Sequence, residues 1–120
     1  MSDRTQDLRV LDGRYVIEPS TPPAGAELLA VVFGPDGQTT IRRDDAARDG
    51  WAALWSGDHP HDPSATGMLS AIVAPLAAAD TPVMVASTFH ADLVLVPAAR
   101  LDDALAALRA AGHRVALAQG

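Results

Sequence analysis

From Gly50 to Val115 the hydrophobic pattern switches between the repeat of a strand and that of a helix, in the order strand, helix, strand, strand, helix, strand. Trp51 to Ser56 alternates, with Trp51, Ala53 and Trp55 on one face and Ala52 and Leu54 on the other. From Ser64 to Ala79, Met68, Leu69, Ile72, Val73 and Leu76 fall on one side of a helix. Asp62 or Ser64 suits its N-cap, Pro63 its first position, and Pro75 deletes the bond to the Ala71 carbonyl near its end. Pro82 to Ala86 and Leu93 to Val96 are β-rich, and Pro97 stops the second run. Leu101 to Ala111 is a second helix with Leu101, Leu105 and Leu108 as its buried stripe. Asp102 and Asp103 suit its first turn, Arg109 its last, and Gly112 the left-handed position that ends it. Arg114 to Ala118 closes the sheet, and His113 is placed to meet helix-terminal carbonyls.

The first half reads as strand alone. Leu8 to Ile17 forms two extended pieces around Asp12-Gly13, and the proline-rich Glu18 to Gly25 is a loop. Leu28 to Phe33 and Gln38 to Arg43 flank Gly34-Pro35-Asp36-Gly37, a β-hairpin whose second strand is expected at an edge. Asp44 to Gly50 is a connector. The expected fold is α+β: a ferredoxin-like βαββαβ unit over residues 50–120 with a strand-rich subdomain over residues 1–49. At 120 residues the two fold together as one compact domain.

Composition removes several function classes. The net charge is −6 and every cationic side chain other than histidine is arginine, which argues against nucleic acid and anionic membrane surfaces. Without lysine there is no Schiff base and no phosphate-loop lysine; without cysteine there is no disulfide, thiolate metal site or cysteine nucleophile. No segment reads as a signal peptide or a membrane span, so the expected location is the cytoplasm. Ser56, Ser64 and Ser87 each have a histidine nearby in sequence, but no nucleophile-elbow motif exists, and an enzyme is not expected. No cofactor is implied.

One polar break, Ser87-Thr88-Phe89-His90-Ala91-Asp92, interrupts the apolar runs. Asp92 begins a β-rich run, where propensity does not call for a carboxylate; it is either a turn residue or a group for a ligand's ammonium or guanidinium. Thr88 and Phe89 would shape a pocket beside it, or Phe89 belongs to the core. Ser64-Ala65-Thr66-Gly67-Met68 opens the first helix. Its free N–H groups suit a carboxylate, while Thr66 and Gly67 also serve tight packing. Asp58, His59, His61 and Asp62, with His90, give a rival metal-binding reading; in a loop such residues are more often solvated.

Gly50-Trp51-x-Ala53-Leu54, Thr66-Gly67-Met68-Leu69, Ala74-Pro75-Leu76-Ala77 and Ser87-Thr88-Phe89-x-x-Asp92 with Val94-Leu95-Val96 follow one another in a specific order. With Ala104-Leu105-x-Ala107-Leu108-x-x-x-Gly112-His113 and the opening Leu11-Asp12-Gly13-Arg14-Tyr15-Val16-Ile17, this resembles ACT domains of the CASTOR type, small amino-acid-binding regulatory modules. The resemblance implies a tandem arrangement in which the strand-rich N-terminal subdomain is itself ACT-like, regulatory binding of an amino acid or similar metabolite in a cleft between ACT units, and homodimerisation. It implies a ligand site of Asp92, Thr88, Phe89, Ala65, Thr66, Gly67 and Met68. Arginine-sensing members carry an acidic residue where this chain has Ala65, which leaves the ligand open. The alternative is a ligand-free dimerisation module. With no fused effector domain, output passes through an effector protein the sequence does not name, or the module is a buffer.

Overall fold

In the computed structural model, which describes residues 4–59 and 66–117, the chain begins with five strands. They are β1 (Asp7–Val10), β2 (Tyr15–Glu18), β3 (Leu28–Gly34), β4 (Gly37–Arg43) and β5 (Trp51–Trp55). There follow α1 (Met68–Ala78), β6 (Met84–Val85), β7 (Leu93–Pro97), a 3₁₀ turn at Ala98–Arg100, α2 (Leu101–Ala110) and β8 (Arg114–Ala116). The order read from Gly50 onward is therefore present, in a mixed and strand-rich α+β fold.

Strand β5 is the hub of one eight-stranded sheet. Along one edge it pairs antiparallel with β7, which carries β6 at its far side. Its other edge is divided: Trp51 faces Tyr15 of β2, while Leu54 and Trp55 face Val10 and Arg9 of β1. The chain steps from one to the other through Asp12-Gly13, where Gly13 takes φ 90° and a Cβ would lie 2.3 Å from the Arg43 Nε. Beyond β1 lies β8, parallel to it, so the first strand of the chain sits between the first and last strands of the βαββαβ unit. Beyond β2 come β4 and then β3.

The hairpin corrects one expectation. Strand β4 is internal, and the edge belongs to β3. The weak alternation of β4 came from Thr40, which is fully buried beside Ile41 and donates its hydroxyl to the Ser20 carbonyl at 2.6 Å. A buried hydroxyl with a partner costs little, so a polar letter was no sign of exposure.

Two cores lie on opposite faces of β5 and β7. Ala52, Leu54, Val94 and Val96 pack with Leu8 and Val10 beneath Ile72 and Leu76 of α1 and Ala104, Leu105 and Leu108 of α2. On the other face, Ala53, Leu93 and Leu95 pack with Tyr15 and Ile41, flanked by Trp51, Trp55, Ile17 and Leu29. The alternation of β5 is what allows both.

Helix α1 begins later than its hydrophobic pattern suggests. Gly67 stands at its N-cap with φ 79°, a left-handed conformation that no helix continues through, and no side chain caps it. Asp62, Pro63 and Ser64 lie outside the described residues. At the other end, Asp80 takes the left-handed position, with its N–H on the Ala77 carbonyl and that of Thr81 on Leu76. Arg100 adds bonds to the Ala79 and Asp80 carbonyls. Helix α2 closes in the same way through Gly112, with the His113 N–H on the Leu108 carbonyl.

The Ala71 carbonyl, which Pro75 leaves without its helical donor, receives His113 Nε2 at 2.7 Å from the turn after α2. His113 Nδ1 in turn accepts the Gln6 N–H at 3.0 Å. These partners specify the neutral ring with its hydrogen on Nε2. One buried imidazole thus joins α1, α2 and the segment entering β1.

Candidate functional site

The polar break becomes a tight turn between β6 and β7. The Thr88 N–H bonds the Ala91 carbonyl at 2.9 Å, and its hydroxyl reaches the same oxygen at 3.4 Å. Asp92 is buried. Its backbone is clamped to the end of β5, where Ser56 Oγ accepts the Asp92 N–H at 2.8 Å and the Ser56 N–H bonds the Asp92 carbonyl at 3.1 Å. Its carboxylate accepts the Ser87 hydroxyl at 2.7 Å. Thr88 is exposed, and Phe89 is 73% exposed with its ring edge-on to His90 at 4.8 Å. Phe89 is therefore not a core residue.

The other predicted half of the site is the turn into α1. The Met68 carbonyl accepts Gln6 Nε2 at 2.8 Å, and the Arg4 side chain lies over Gly67, where a Cβ would come within 2.6 Å of Nε. Thr66 is exposed. Ala65 lies outside the described residues. Both turns occur at one end of the sheet, where β5 ends and β1 and β7 begin. The Thr66–Met68 turn is tied to residues 4 and 6, and the other turn to Ser56.

Two clefts open near this end. The first, about 340 Å³, runs along the β1–β8 edge and is lined by Asp7, Arg9, Asp58, His59 and Arg114 among others. Asp58 holds Arg9 through Nε at 2.8 Å and Nη2 at 3.2 Å. Asp7 bonds Arg114 and lies 3.2 Å from His59 Nε2. These hydrogen bonds to arginine hold the Asp7 and Asp58 carboxyls below the usual carboxylate range. The second cleft, also about 340 Å³, lies on the face away from the helices, between Arg9, Leu11, Leu29, Trp55, Thr88 and Leu93. Sequence reasoning missed Arg9 and Trp55 as cleft residues. The signal was their odd positions in alternating strands, but only the pairing register makes them neighbours.

Of the rival metal reading, His61 and Asp62 lie outside the described residues. Among the described residues no group of three or more histidines and carboxylates is gathered as a metal site would require. His59 instead faces Asp7.

The ACT domain family matches residues 46–110, more than half of the chain, and the match spans the Thr66–Met68 turn and the Ser87–Asp92 turn. The chain belongs to the ACT domain family. ACT domains are generally regulatory small-molecule-binding modules rather than catalytic ones, and they commonly dimerise. The fold of this ACT protein is also that of two crystal structures. An Agobacterium tumefaciens protein is similar with a TM-score of 0.81 at 23% identity, over 97% of this chain and 96% of that one. A Vibrio cholerae protein of unknown function is similar with a TM-score of 0.71 at 18% identity, over 88% and 89%. No curated protein matches the chain. No helix among the described residues is long and apolar enough to cross a membrane.

Proposed function

We propose that this ACT protein is a CASTOR-type regulatory module that binds an amino acid or similar metabolite in a cleft between ACT units, the second unit coming from another copy of the chain. The ACT match carries the reading, because it encloses both turns in which a ligand site was expected. Asp92 takes the ligand's cationic group, and the Thr66–Gly67–Met68 turn takes its carboxylate with free N–H groups at the start of α1. Thr88 and Phe89 stand exposed on the Asp92 turn, available to cover a ligand. Residue 65 is alanine, so the ligand has no acidic partner there and is not required to be arginine.

A second reading is a ligand-free dimerisation module. Its support is an open apolar groove of about 480 Å³ along α1, lined by Leu69, Val73, Ala74, Ala77 and Val83 beside edge strand β6. A surface of this kind suits a second copy.

A thermal-shift screen against the twenty amino acids and common metabolites separates the two. A ligand at about 100 times its Kd stabilises by roughly 2.7 kcal/mol, a shift of several degrees for a domain of this size. The shift is expected to vanish in Asp92→Ala, each protein being compared with its own unliganded state because Asp92 also holds Ser87. A panel with no stabilising compound selects the dimerisation module.

A further inference from the structure

We propose that the cleft on the helix-free face is a second ligand site, built for a small carboxylate with an apolar body. Three side chains make its floor. Arg9 of β1 stands opposite Trp55 of β5, and Trp55 opposite Leu93 of β7, in one row across the sheet. Leu11, Leu29 of β3, and Thr88 complete the walls. The volume of about 340 Å³ is at the lower end of ligand pockets, the size for one small metabolite.

The floor is held in place from outside the cleft. A Cβ at Gly57 would come 1.9 Å from the Trp55 ring, so the indole lies directly on the glycine backbone. Gly57 has no positive φ; the glycine is there for space. Asp58 grips Arg9 by Nε and Nη2 and fixes the plane of the guanidinium. A guanidinium has five N–H donors, and these two bonds leave its terminal edge unbonded among the described residues. That edge is the geometry that takes a carboxylate in a paired bond.

The charge of the cleft decides the ligand class. Its lining includes one cation, Arg9, and no carboxylate, while Leu11, Leu29, Trp55 and Leu93 offer only apolar surface. An ammonium group would enter without an anionic partner. The Thr88 hydroxyl donates to the Ala91 carbonyl and keeps lone pairs for a ligand hydroxyl. Asp92 does not line this cleft; Thr88 is the one residue it shares with the regulatory site proposed above.

The test titrates the full chain with isocaproate, L-leucine and isoamylamine, which share one apolar body, and follows tryptophan fluorescence. Isocaproate is expected to saturate, isoamylamine not to bind, and leucine to bind more weakly than isocaproate. Arg9→Gln is expected to weaken isocaproate by about 10- to 100-fold, the worth of a hydrogen-bonded charge. Gly57→Ala, which displaces the indole and leaves Arg9 in place, weakens it as well. The Arg9→Gln comparison stands alone if Gly57→Ala does not fold. No saturation up to about 10 mM overturns the proposal, as does equal binding of the amine or tighter binding of leucine. Loss of binding in Asp92→Ala with full affinity in Arg9→Gln overturns it too, and leaves the regulatory site standing.

Discussion

Ser56 follows β5 and holds the residue that precedes β7: its hydroxyl accepts the Asp92 N–H and lies 3.3 Å from the Asp92 carbonyl, in a position 2% exposed. A buried N–H cannot turn to water when its acceptor is lost. Ser56→Ala is therefore expected to destabilise by about 1–3 kcal/mol in urea unfolding, with an unchanged m-value. The surface carboxylates make a different prediction. The Asp7 and Asp58 carboxyls are held below their ordinary value of 3.8 by hydrogen bonds from Arg114 and Arg9. A carboxyl depressed in the folded state contributes stability above its unfolded pKa and loses it as pH falls through the folded value. Stability should thus be flat from neutrality down to about pH 5 in this respect and then fall, and Asp7→Asn should flatten that acid limb. At this scale the sequence was half legible. Asp92 stood out because a carboxylate does not belong in an apolar strand. Arg9 did not, because an arginine in an alternating strand is ordinary until its neighbour across the sheet is known.

The helices were legible as elements because their period is local; their ends were not. The stripe from Met68 to Leu76 continues backward in pattern to Ser64, and only the left-handed backbone at Gly67 stops it. The Pro75 defect was visible, but its remedy comes from His113, distant in the chain, and no local pattern reveals that. This gives a test by double-mutant cycle. His113→Ala leaves the Ala71 carbonyl and the Gln6 N–H without partners and is expected to cost about 3 kcal/mol. Pro75→Ala restores an N–H for Ala71, so in that background the loss should be smaller by about 1 kcal/mol. Strictly additive costs would show that the imidazole does not serve that carbonyl. Strand β3 shows the same limit: it was read as one arm of a hairpin, yet its place at the sheet edge, with Val32 and Phe33 48% and 78% exposed, depended on where β2 lay.

For the whole molecule, the order of elements was legible and the order of strands was not. Nothing in Asp7–Val10 says that it belongs between β5 and β8, because register across a sheet is written in contacts between remote segments. A chain of residues 50–120 would have to close that gap by itself, losing Leu8 and Val10 from the helix-side core. It is expected to show no cooperative thermal transition, whereas the full chain shows one; a sharp transition in the shorter chain would mean that β8 can close directly on β5.

The same insertion orders events in time. Asp7 pairs with Arg114 and Leu8 with Val115, so β1 waits for β8, made long after it, before its second edge is filled. Local structure such as the β3–β4 hairpin can form while the chain is still growing, but the sheet can only be sealed once residue 116 has emerged. Folding of this protein is then governed by closing a loop nearly as long as the chain, a slow and non-local step. Until that step, β1 keeps its outer edge unpaired, which makes the nascent chain the state most exposed to mispairing.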